Sequence, residues 1–153
     1  LDNINTAGQP KYCTNLRVNS ILSYKLSEVP EGVNITYDVK VPEELDVDYS
    51  DLGVIIGNLI DNSKHAVSRV LENNMDAYID IKLICHVDNI VFIIKNNYIN
   101  TPEVRNIDYY KNHGRGIGSV RKIIKKYDGM YDVKKTEYEY VTSVSVGVRN
   151  MRM

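Results

Sequence analysis

The amino-acid sequence predicts an α/β protein, a two-layer α/β sandwich with helices on one face of a mixed, mostly antiparallel sheet. Apolar residues recur at three- and four-residue steps in three segments, which indicates amphipathic helices. Apolar and polar residues alternate in other segments, and short turns separate two pairs of these predicted strands. The resulting order is helix, strand, long helix, hairpin, loop, helix, hairpin.

The first half of the chain contains two predicted helices and one strand. Apolar spacing predicts a helix over about 15–28, which ends before Pro30 because proline cannot continue it. Alternation over 33–39 predicts a strand. A second, longer helix is predicted over about 49–73.

The second half contains two predicted hairpins, with a loop and a helix between them. The strands are expected at about 78–86, 90–94, 130–136 and 139–148. Residues 96–113 are rich in Asn and break every periodicity, which predicts a long loop. The helix over about 117–127 is expected to end at Gly129, which suits the left-handed position after the last turn.

Composition and charge limit the possible classes of protein. The chain has 153 residues, 43% hydrophobic and 25% charged, which suits one domain with a hydrophobic core. Its net charge of −1 argues against nucleic-acid binding, and the distant Cys13 and Cys85 give little support to a zinc or redox site. No apolar run has the roughly 18 residues of a membrane span. We expect a soluble cytoplasmic piece, and the start at Leu1 suggests a fragment of a longer protein.

The long helix carries a polar stripe along the border of its apolar arc. The arc comprises Leu52, Ile55, Ile56, Leu59, Ile60, Ala66, Val67 and Val70. The stripe comprises Asn58, Asn62, His65 and Arg69, and the predicted solvent face comprises Asp61, Lys64 and Ser68. A single polar residue would only mark the helix margin, whereas an unpaired buried amide costs about 1–3 kcal/mol, so four aligned groups favour a cleft. An amide oxygen suits Mg²⁺, although a polar pocket of another kind is equally consistent.

Three other segments each have a functional and a simpler interpretation. Asn112–Ile117 places glycines before a predicted helix, where free N–H groups attract phosphate, but it could be only a flexible hinge and cap. Asn96 and Asn97 follow a strand, where Asn is a common turn former. The basic run 121–126 predicts a solvated helix face, with a docking surface for a response regulator as the minority alternative.

Together these motifs resemble the ATP-binding domain of sensor histidine kinases, in the superfamily shared with gyrase, a class of heat-shock chaperone and MutL. Asn-Leu-Ile-Asp-Asn-Ser-x-x-Ala at 58–66 is similar to the N box of that family, and His-Gly-x-Gly-Ile at 113–117 to its second glycine box. The resemblance implies a Bergerat-type ATP-binding fold. It implies a catalytic domain over 15–150, preceded by 1–14 as a linker or a remnant of an upstream dimerisation region.

The resemblance also implies a site for ATP and Mg²⁺. Asn62 would bind the metal, Asn58 would support it, and His65 falls where many histidine kinases have a Lys near the phosphates. Asn96 replaces an Asp that reads the adenine amino group. The other nucleotide-binding residues implied are His113, Gly114, Arg115, Gly116, Ile117 and Thr142.

The first glycine box of the family is missing, since Asn96, Asn97 and Tyr98 stand in its place. The loss of this box, together with Asn-Leu-Ile-Asp-Asn at 58–62, is similar to the quorum-sensing peptide-receptor kinases of accessory-gene-regulator type, and the segment 19–25 resembles their helix before the first strand. The resemblance therefore implies the cytoplasmic domain of a membrane-anchored receptor kinase in a two-component system. Its implied partners are a response regulator and a second copy in a full-length homodimer, but not nucleic acid.

The residue type at position 58 distinguishes the kinds of reaction that members of the superfamily catalyse. Its ATPases and serine-directed anti-sigma kinases have a Glu there as general base, whereas Asn58 cannot take a proton near neutral pH. This favours phosphoryl transfer to histidine, whose imidazole is already a nucleophile. Because His65, His86 and His113 lack a helical acceptor context, we expect no catalytic residue within the fragment and an acceptor on an upstream helix. The alternative is a degenerate nucleotide-binding or regulatory interaction module without kinase activity.

Overall fold

The computed structural model describes residues 11–100, 107–148 and 151, with the side chains of 107–115 outside the described part. Within these ranges the helices and strands follow one another in the predicted order. The helices are α1 (Leu16–Ser27), α2 (Tyr49–Glu72) and α3 (Ile107–Lys126). The strands are β1 (Asn34–Lys40), β2 (Tyr78–Cys85), β3 (Asn89–Asn97), β4 (Met130–Lys135) and β5 (Glu139–Gly147).

The strands form one mixed sheet in the order β1-β2-β3-β5-β4. β1 runs parallel to β2, and the other neighbouring pairs are antiparallel. The helices cover one face of the sheet, where Ile81, Phe92 and Val144 are buried. α2 packs against β2 and β3, while α1 and α3 both pack against α2. The predicted fold class is therefore confirmed.

Helix α1 begins at a buried capping residue, and ion pairs join its other end to α2. Asn15 accepts a hydrogen bond from the Val18 N–H, which satisfies one of the donors that a helix start leaves unpaired. Near its other end, the Lys25 ammonium lies 3.0 Å from the Asp61 carboxylate of α2. Lys64 of α2 lies 3.5 Å from Glu28, just beyond α1. The predicted solvent face of α2 is therefore wrong at Asp61 and Lys64, because this side of the helix meets α1.

Helix α2 is the central helix of the layer and matches its predicted bounds closely. Asp48 caps it by accepting from the N–H groups of Ser50 and Asp51. The predicted apolar arc is buried, except that Ala66 is only half-buried. Fully burying each Leu or Ile side chain stabilises the fold by roughly 1.5–3 kcal/mol, so this arc fixes α2 against the sheet. The polar stripe on α2 is consequently held in a defined direction.

The predicted loop over 96–113 is wrong at both ends. β3 continues through Asn97 because its last residues pair with β5, where Asn96 lies opposite Tyr140. α3 begins at Ile107 rather than near 117, and the glycines of the segment lie inside it. Glycine costs about 1 kcal/mol relative to alanine within a helix, a weak preference that packing can override. The expectation that these glycines stand before the helix is corrected.

The end of α3 also differs from its prediction. Asp128, not Gly129, adopts the left-handed conformation, with φ of 53°. The Gly129 N–H bonds to the Ile124 carbonyl and the Asp128 N–H to the Lys125 carbonyl, which closes the last turn. Gly129 is required for space, since a Cβ there would lie 2.6 Å from the Ser145 carbonyl oxygen. In the described ranges, none of the helices combines the length and the apolar character that crossing a membrane requires.

Candidate functional site

Two motifs that are distant in the sequence meet where α2 packs against α3. A Cβ atom built on Gly116 would lie 2.8 Å from Asn58 Oδ1 and 3.3 Å from its Cγ. The Asn58 Nδ2 donates to the Val54 carbonyl at 2.8 Å, while its Oδ1 lies against α3. Glycine is therefore the residue that allows this approach without moving the Asn58 amide.

The rest of the polar stripe lies on the same side of α2 as Asn58. Asn62 and Arg69 are half-buried, and His65 is exposed. Within the described part of the chain, the Asn62 amide makes no hydrogen bond. The stripe thus presents one half-buried amide oxygen with the chemistry of a hard-cation ligand.

The second predicted glycine motif is described only in part. Gly116 and Ile117 are half-buried on α3. The backbone of His113, Gly114 and Arg115 is helical, but the side chains of His113 and Arg115 lie outside the described residues. Their predicted contacts with a ligand stay predictions.

Three buried polar residues, one each from α2, β3 and β5, lie between the long helix and the sheet, and we call them the buried polar cluster. Ser63 is 2% exposed, Asn96 3% and Thr142 5%. The Ser63 hydroxyl donates to Asn96 Oδ1 at 2.9 Å, and Asn96 Nδ2 donates to the Asn97 carbonyl at 2.9 Å. Among the described residues, no buried side-chain polar atom lacks a partner. Asn96 is therefore a fully buried, hydrogen-bonded group rather than a simple turn former.

The position of Thr142 follows from strand register. It lies opposite Ile94 on β5, while Asn96 lies opposite Tyr140. Since side chains alternate across a strand, Thr142, Tyr140 and Asn96 are on the helix-covered face. The predicted residues Asn96 and Thr142 are therefore diagonal neighbours on the same face of adjacent strands.

Sequence reasoning missed Ser63 as part of this cluster. Its position was a usable signal, because it follows Leu59 by four residues and precedes Val67 by four, on the buried arc of α2. A hydroxyl at such a position needs a partner within the core. That partner is Asn96.

Asn97, the last residue of β3, has a local structural role. Its Oδ1 accepts from the Tyr78 N–H at 3.1 Å, and its Nδ2 donates to the Asp76 carbonyl at 2.7 Å. The next residue, Tyr98, donates its hydroxyl to the Thr136 carbonyl at 2.6 Å. These bonds fasten the end of β3 to the segments beside it.

A cluster of ionisable groups ties the C-terminal end of α3 to the first turn of α2. The Tyr127 hydroxyl donates to the Asp51 carboxylate, and the Lys126 ammonium lies 2.9 Å from it. These two hydrogen bonds, Tyr127 first, hold the pKa of Asp51 below its usual value, and the pKa of Lys126 is raised in turn. Arg121, Lys122 and Lys125 are exposed, as the predicted solvated face requires. The end of α3 beyond the glycines is therefore firmly anchored.

Several solved structures have the same fold. The catalytic domain of the histidine kinase ThkA matches with a TM-score of 0.64 and 14% identity, over 87% of this chain and 92% of that domain. The Acinetobacter baumannii histidine kinase AdeS matches with a TM-score of 0.62 and 15% identity, over 90% of this chain and 66% of that one. A blue-light activated histidine kinase of Erythrobacter litoralis matches with a TM-score of 0.65 and 11% identity, over 88% of this chain and 42% of that one. At such identities the likeness establishes the fold.

The sequence itself matches the family model of the GHKL domain over residues 47–147. No curated protein matches it significantly. The matched segment contains α2, the whole of β2 to β5 and α3, and so includes Asn58, Gly116 and the buried polar cluster. On this evidence of sequence, the chain belongs to the GHKL domain family.

Proposed function

We propose that this chain is the ATP-binding catalytic domain of a sensor histidine kinase, which binds ATP with Mg²⁺ and donates the γ-phosphoryl group to a histidine elsewhere. The observation that carries the proposal is the contact between Gly116 and Asn58. It joins the two sequence motifs at one helix interface, as a shared nucleotide site requires. Membership of the GHKL domain family supports the same conclusion.

The donor chemistry of α2 suits the metal. Asn62 would supply its amide oxygen to Mg²⁺, a cation that prefers oxygen ligands and keeps several waters. The bound ion would neutralise charge on the phosphate oxygens and orient them. Asn58 would support this end of the site from one turn earlier on the helix. His65, together with His113, Gly114, Arg115, Gly116 and Ile117 of α3, would face the phosphates.

The buried polar cluster suits the nucleobase. Asn96 Oδ1 accepts one hydrogen bond from Ser63 and has capacity for a second, which the amino group of adenine can fill. Thr142 lies on the same face and would support Asn96. The base would therefore bind at the end of β3, with its phosphates directed towards α3.

The absence of a basic group at position 58 favours transfer over hydrolysis. The Asn58 amide is neutral and donates to the Val54 carbonyl, so it cannot take a proton from water. A neutral acceptor imidazole needs no such base. One of its ring nitrogens forms the new bond to the γ-phosphorus, and the bond to the bridging oxygen breaks with its electrons leaving on ADP.

The resemblance of the sequence motifs to those of sensor histidine kinases supports further features of the proposal. We place the catalytic domain at 15–150, with 1–14 as a linker or part of a dimerisation region. The acceptor histidine would lie on a dimerisation helix, and a response regulator would receive the phosphoryl group. We assign the chain to the quorum-sensing, accessory-gene-regulator type because Asn96 and Asn97 replace the first glycine box and because the segments 19–25 and 58–62 resemble that subfamily. This assignment implies a membrane-anchored homodimer.

A degenerate, regulatory module of the same fold is the second candidate. It is favoured by the helical backbone at Gly114 and Gly116, which uses their N–H groups within α3, and by the structural bonds of Asn97. Autophosphorylation of the domain joined to its dimerisation helix separates the two candidates. The catalytic proposal expects phosphohistidine, and the degenerate module does not.

Calorimetry with ADP and ATP, with and without Mg²⁺, tests the proposed site. Because Asn62 is the proposed metal ligand, Asn62→Ala should reduce the gain in nucleotide affinity that Mg²⁺ gives by a factor of about 10 or more. Asn73→Ala is the matched control, since Asn73 lies at the exposed end of α2 and its side chain, among the described residues, bonds only to the Arg69 carbonyl of the same helix. Equal binding with and without metal in the wild type and in Asn62→Ala would refute the assignment.

A further inference from the structure

A groove lies between the last turns of α3 and the start of β4. It has a volume of about 490 Å³, and its lining residues come from these two segments: Arg121, Ile124, Lys125, Asp128, Gly129 and Tyr131. Ile124 is buried and Tyr131 is half-buried, so the groove presents apolar side chains as well as charged ones. No residue of the proposed nucleotide site lines it.

The basic run of α3 divides into two faces of the helix. Arg121 and Lys125 are four residues apart and therefore lie on the same side of α3, and Lys122 and Lys126 form a second such pair. Lys126 is paired with Asp51, and Lys122 is exposed outside the groove. Arg121 and Lys125 are exposed, line the groove and form no ion pair with any described residue. The groove therefore offers two cationic groups to a ligand.

A contact between Arg121 and Tyr131 connects these cations to the sheet. The Arg121 guanidinium carbon lies 5.5 Å from the centre of the Tyr131 ring, which is a cation–π distance. A guanidinium that rests on an aromatic ring can still donate its N–H groups to a carboxylate. Asp128 also lines the groove, so the lining residues carry two positive charges and one negative.

Strand β4 is an edge of the sheet. Among the described residues it pairs with β5 alone, so the backbone groups along its other side have no strand partner. Such an edge can bind an extended peptide segment as an additional strand. Tyr131 lies opposite Val144 and therefore points to the helix-covered face of the sheet. Because side chains alternate along a strand, every second side chain of an added segment would point to this same face, beside the groove.

We propose that the groove and the free edge of β4 form one docking site for an extended acidic segment of a partner protein. The segment adds to β4 through backbone hydrogen bonds, and alternate carboxylates of the segment pair with Arg121 and Lys125. The apolar part of the groove holds the aliphatic carbons of these side chains. The site shares no residue with the proposed nucleotide site, so the inference does not depend on that function.

Charge complementarity determines the occupant. β4 itself carries Asp132, Lys134 and Lys135, one negative charge and two positive ones, in addition to the two cations of the groove. An acidic segment is attracted by this excess of positive charge, and a basic segment is repelled. Lysines on an edge strand also disfavour pairing with the same edge of a second copy. The lysines therefore select against a like-charged strand and favour an acidic one.

The probe for this site is a short peptide of alternating Glu and Val, acetylated and amidated at its ends. Backbone amide signals of the isotope-labelled protein are followed by NMR at physiological ionic strength. The acidic peptide should shift the signals of β4 and Gly129, while β1, the other edge strand, serves as the internal control and should not respond. A peptide of alternating Gln and Val should bind about fivefold more weakly, because it has lost the charge pairs.

Two further comparisons separate the parts of the site. Lys125→Glu should weaken binding of the acidic peptide about fivefold, and Lys122→Glu, the matched control on the neighbouring face, by less than about twofold. Both positions are exposed, so neither variant should affect folding. An acidic peptide with methylated backbone nitrogens keeps its charge but cannot pair as a strand, and it should not bind.

The inference is wrong if millimolar acidic peptide leaves the β4 signals unchanged, or if the acidic and neutral peptides bind equally. It is also wrong if Lys125→Glu and Lys122→Glu lose the same affinity, because the groove then has no special role. Undiminished binding of the methylated peptide would show that charge alone attracts the segment and that no strand is added. None of these results requires ADP, so they leave the proposed nucleotide-binding function to its own test.

Discussion

The two ends of the candidate site are built differently. At the proposed base end, Ser63, Asn96 and Thr142 are buried, and Ser63 and Asn96 are hydrogen-bonded to each other. At the proposed phosphate end, Asn58 and Asn62 are half-buried amides, and Asn58 lies against Gly116 of α3. The difference teaches that the protein already gives each polar group at the proposed base end a hydrogen-bond partner, whereas the Asn62 amide at the proposed phosphate end has none among the described residues.

Solvation explains why the two ends differ. A buried polar group without a partner costs about 1–3 kcal/mol, so the base end must be satisfied even without a ligand. A half-buried amide can bond to water instead, and giving up that water to a ligand costs little. The base end should therefore contribute to stability and to binding, and the phosphate end to binding alone.

The largest expected effect is the contrast in stability between Asn96→Ala and Asn62→Ala. Asn96→Ala should lower the free energy of unfolding by about 2 kcal/mol, because it leaves the Ser63 hydroxyl without its acceptor. Asn62→Ala should change it by less than about 0.5 kcal/mol. Urea unfolding of both variants without nucleotide measures the contrast. Equal losses in the two variants would remove the distinction between the ends.

A smaller effect on stability is expected from alanine substitutions at two glycines of α3. Alanine at Gly118 meets no atom within 4 Å, so Gly118→Ala should stabilise the protein by up to about 1 kcal/mol through helix propensity. Gly116→Ala gains the same propensity but must displace the Asn58 amide, at a cost of about 1–2 kcal/mol. Gly116→Ala should therefore be the less stable of the two by urea unfolding and should bind ADP more weakly.

The second-site variant Asn58→Ala provides the control for this contact. It removes the atom that the new methyl group would meet, so it should narrow the difference in stability between the two alanine variants. If Gly116→Ala and Gly118→Ala are equally stable, α2 and α3 do not meet as described.

Much of the fold and part of the site could be predicted from the sequence. The bounds of α2 agree with the prediction within a residue, because its long apolar arc gives a strong periodic signal. The alignment of Asn58 with Asn62 follows from helix geometry alone. These features depend on residues that are close together in the sequence.

The features that were mispredicted depend on tertiary contacts. The sequence predicts the start of α3 near 117 because glycine and asparagine disfavour helix, yet the backbone is helical from Ile107, so this weak preference does not decide where the helix begins. The pairing of Lys25 with Asp61 joins two helices, and no pattern along one helix reveals it. The bond from Ser63 to Asn96 likewise needs α2 to be docked on β3.

The most direct test of the account follows the side-chain amide signals of Asn62 and Asn96 by NMR while ADP is added first and Mg²⁺ second. The account predicts that the Asn96 signal shifts with ADP alone, that the Asn62 signal shifts when the metal is added, and that Asn73 responds to neither. If Asn62 does not respond to Mg²⁺ in the presence of ADP, or if Asn96 is unchanged throughout, these asparagines do not form the two ends of one nucleotide site.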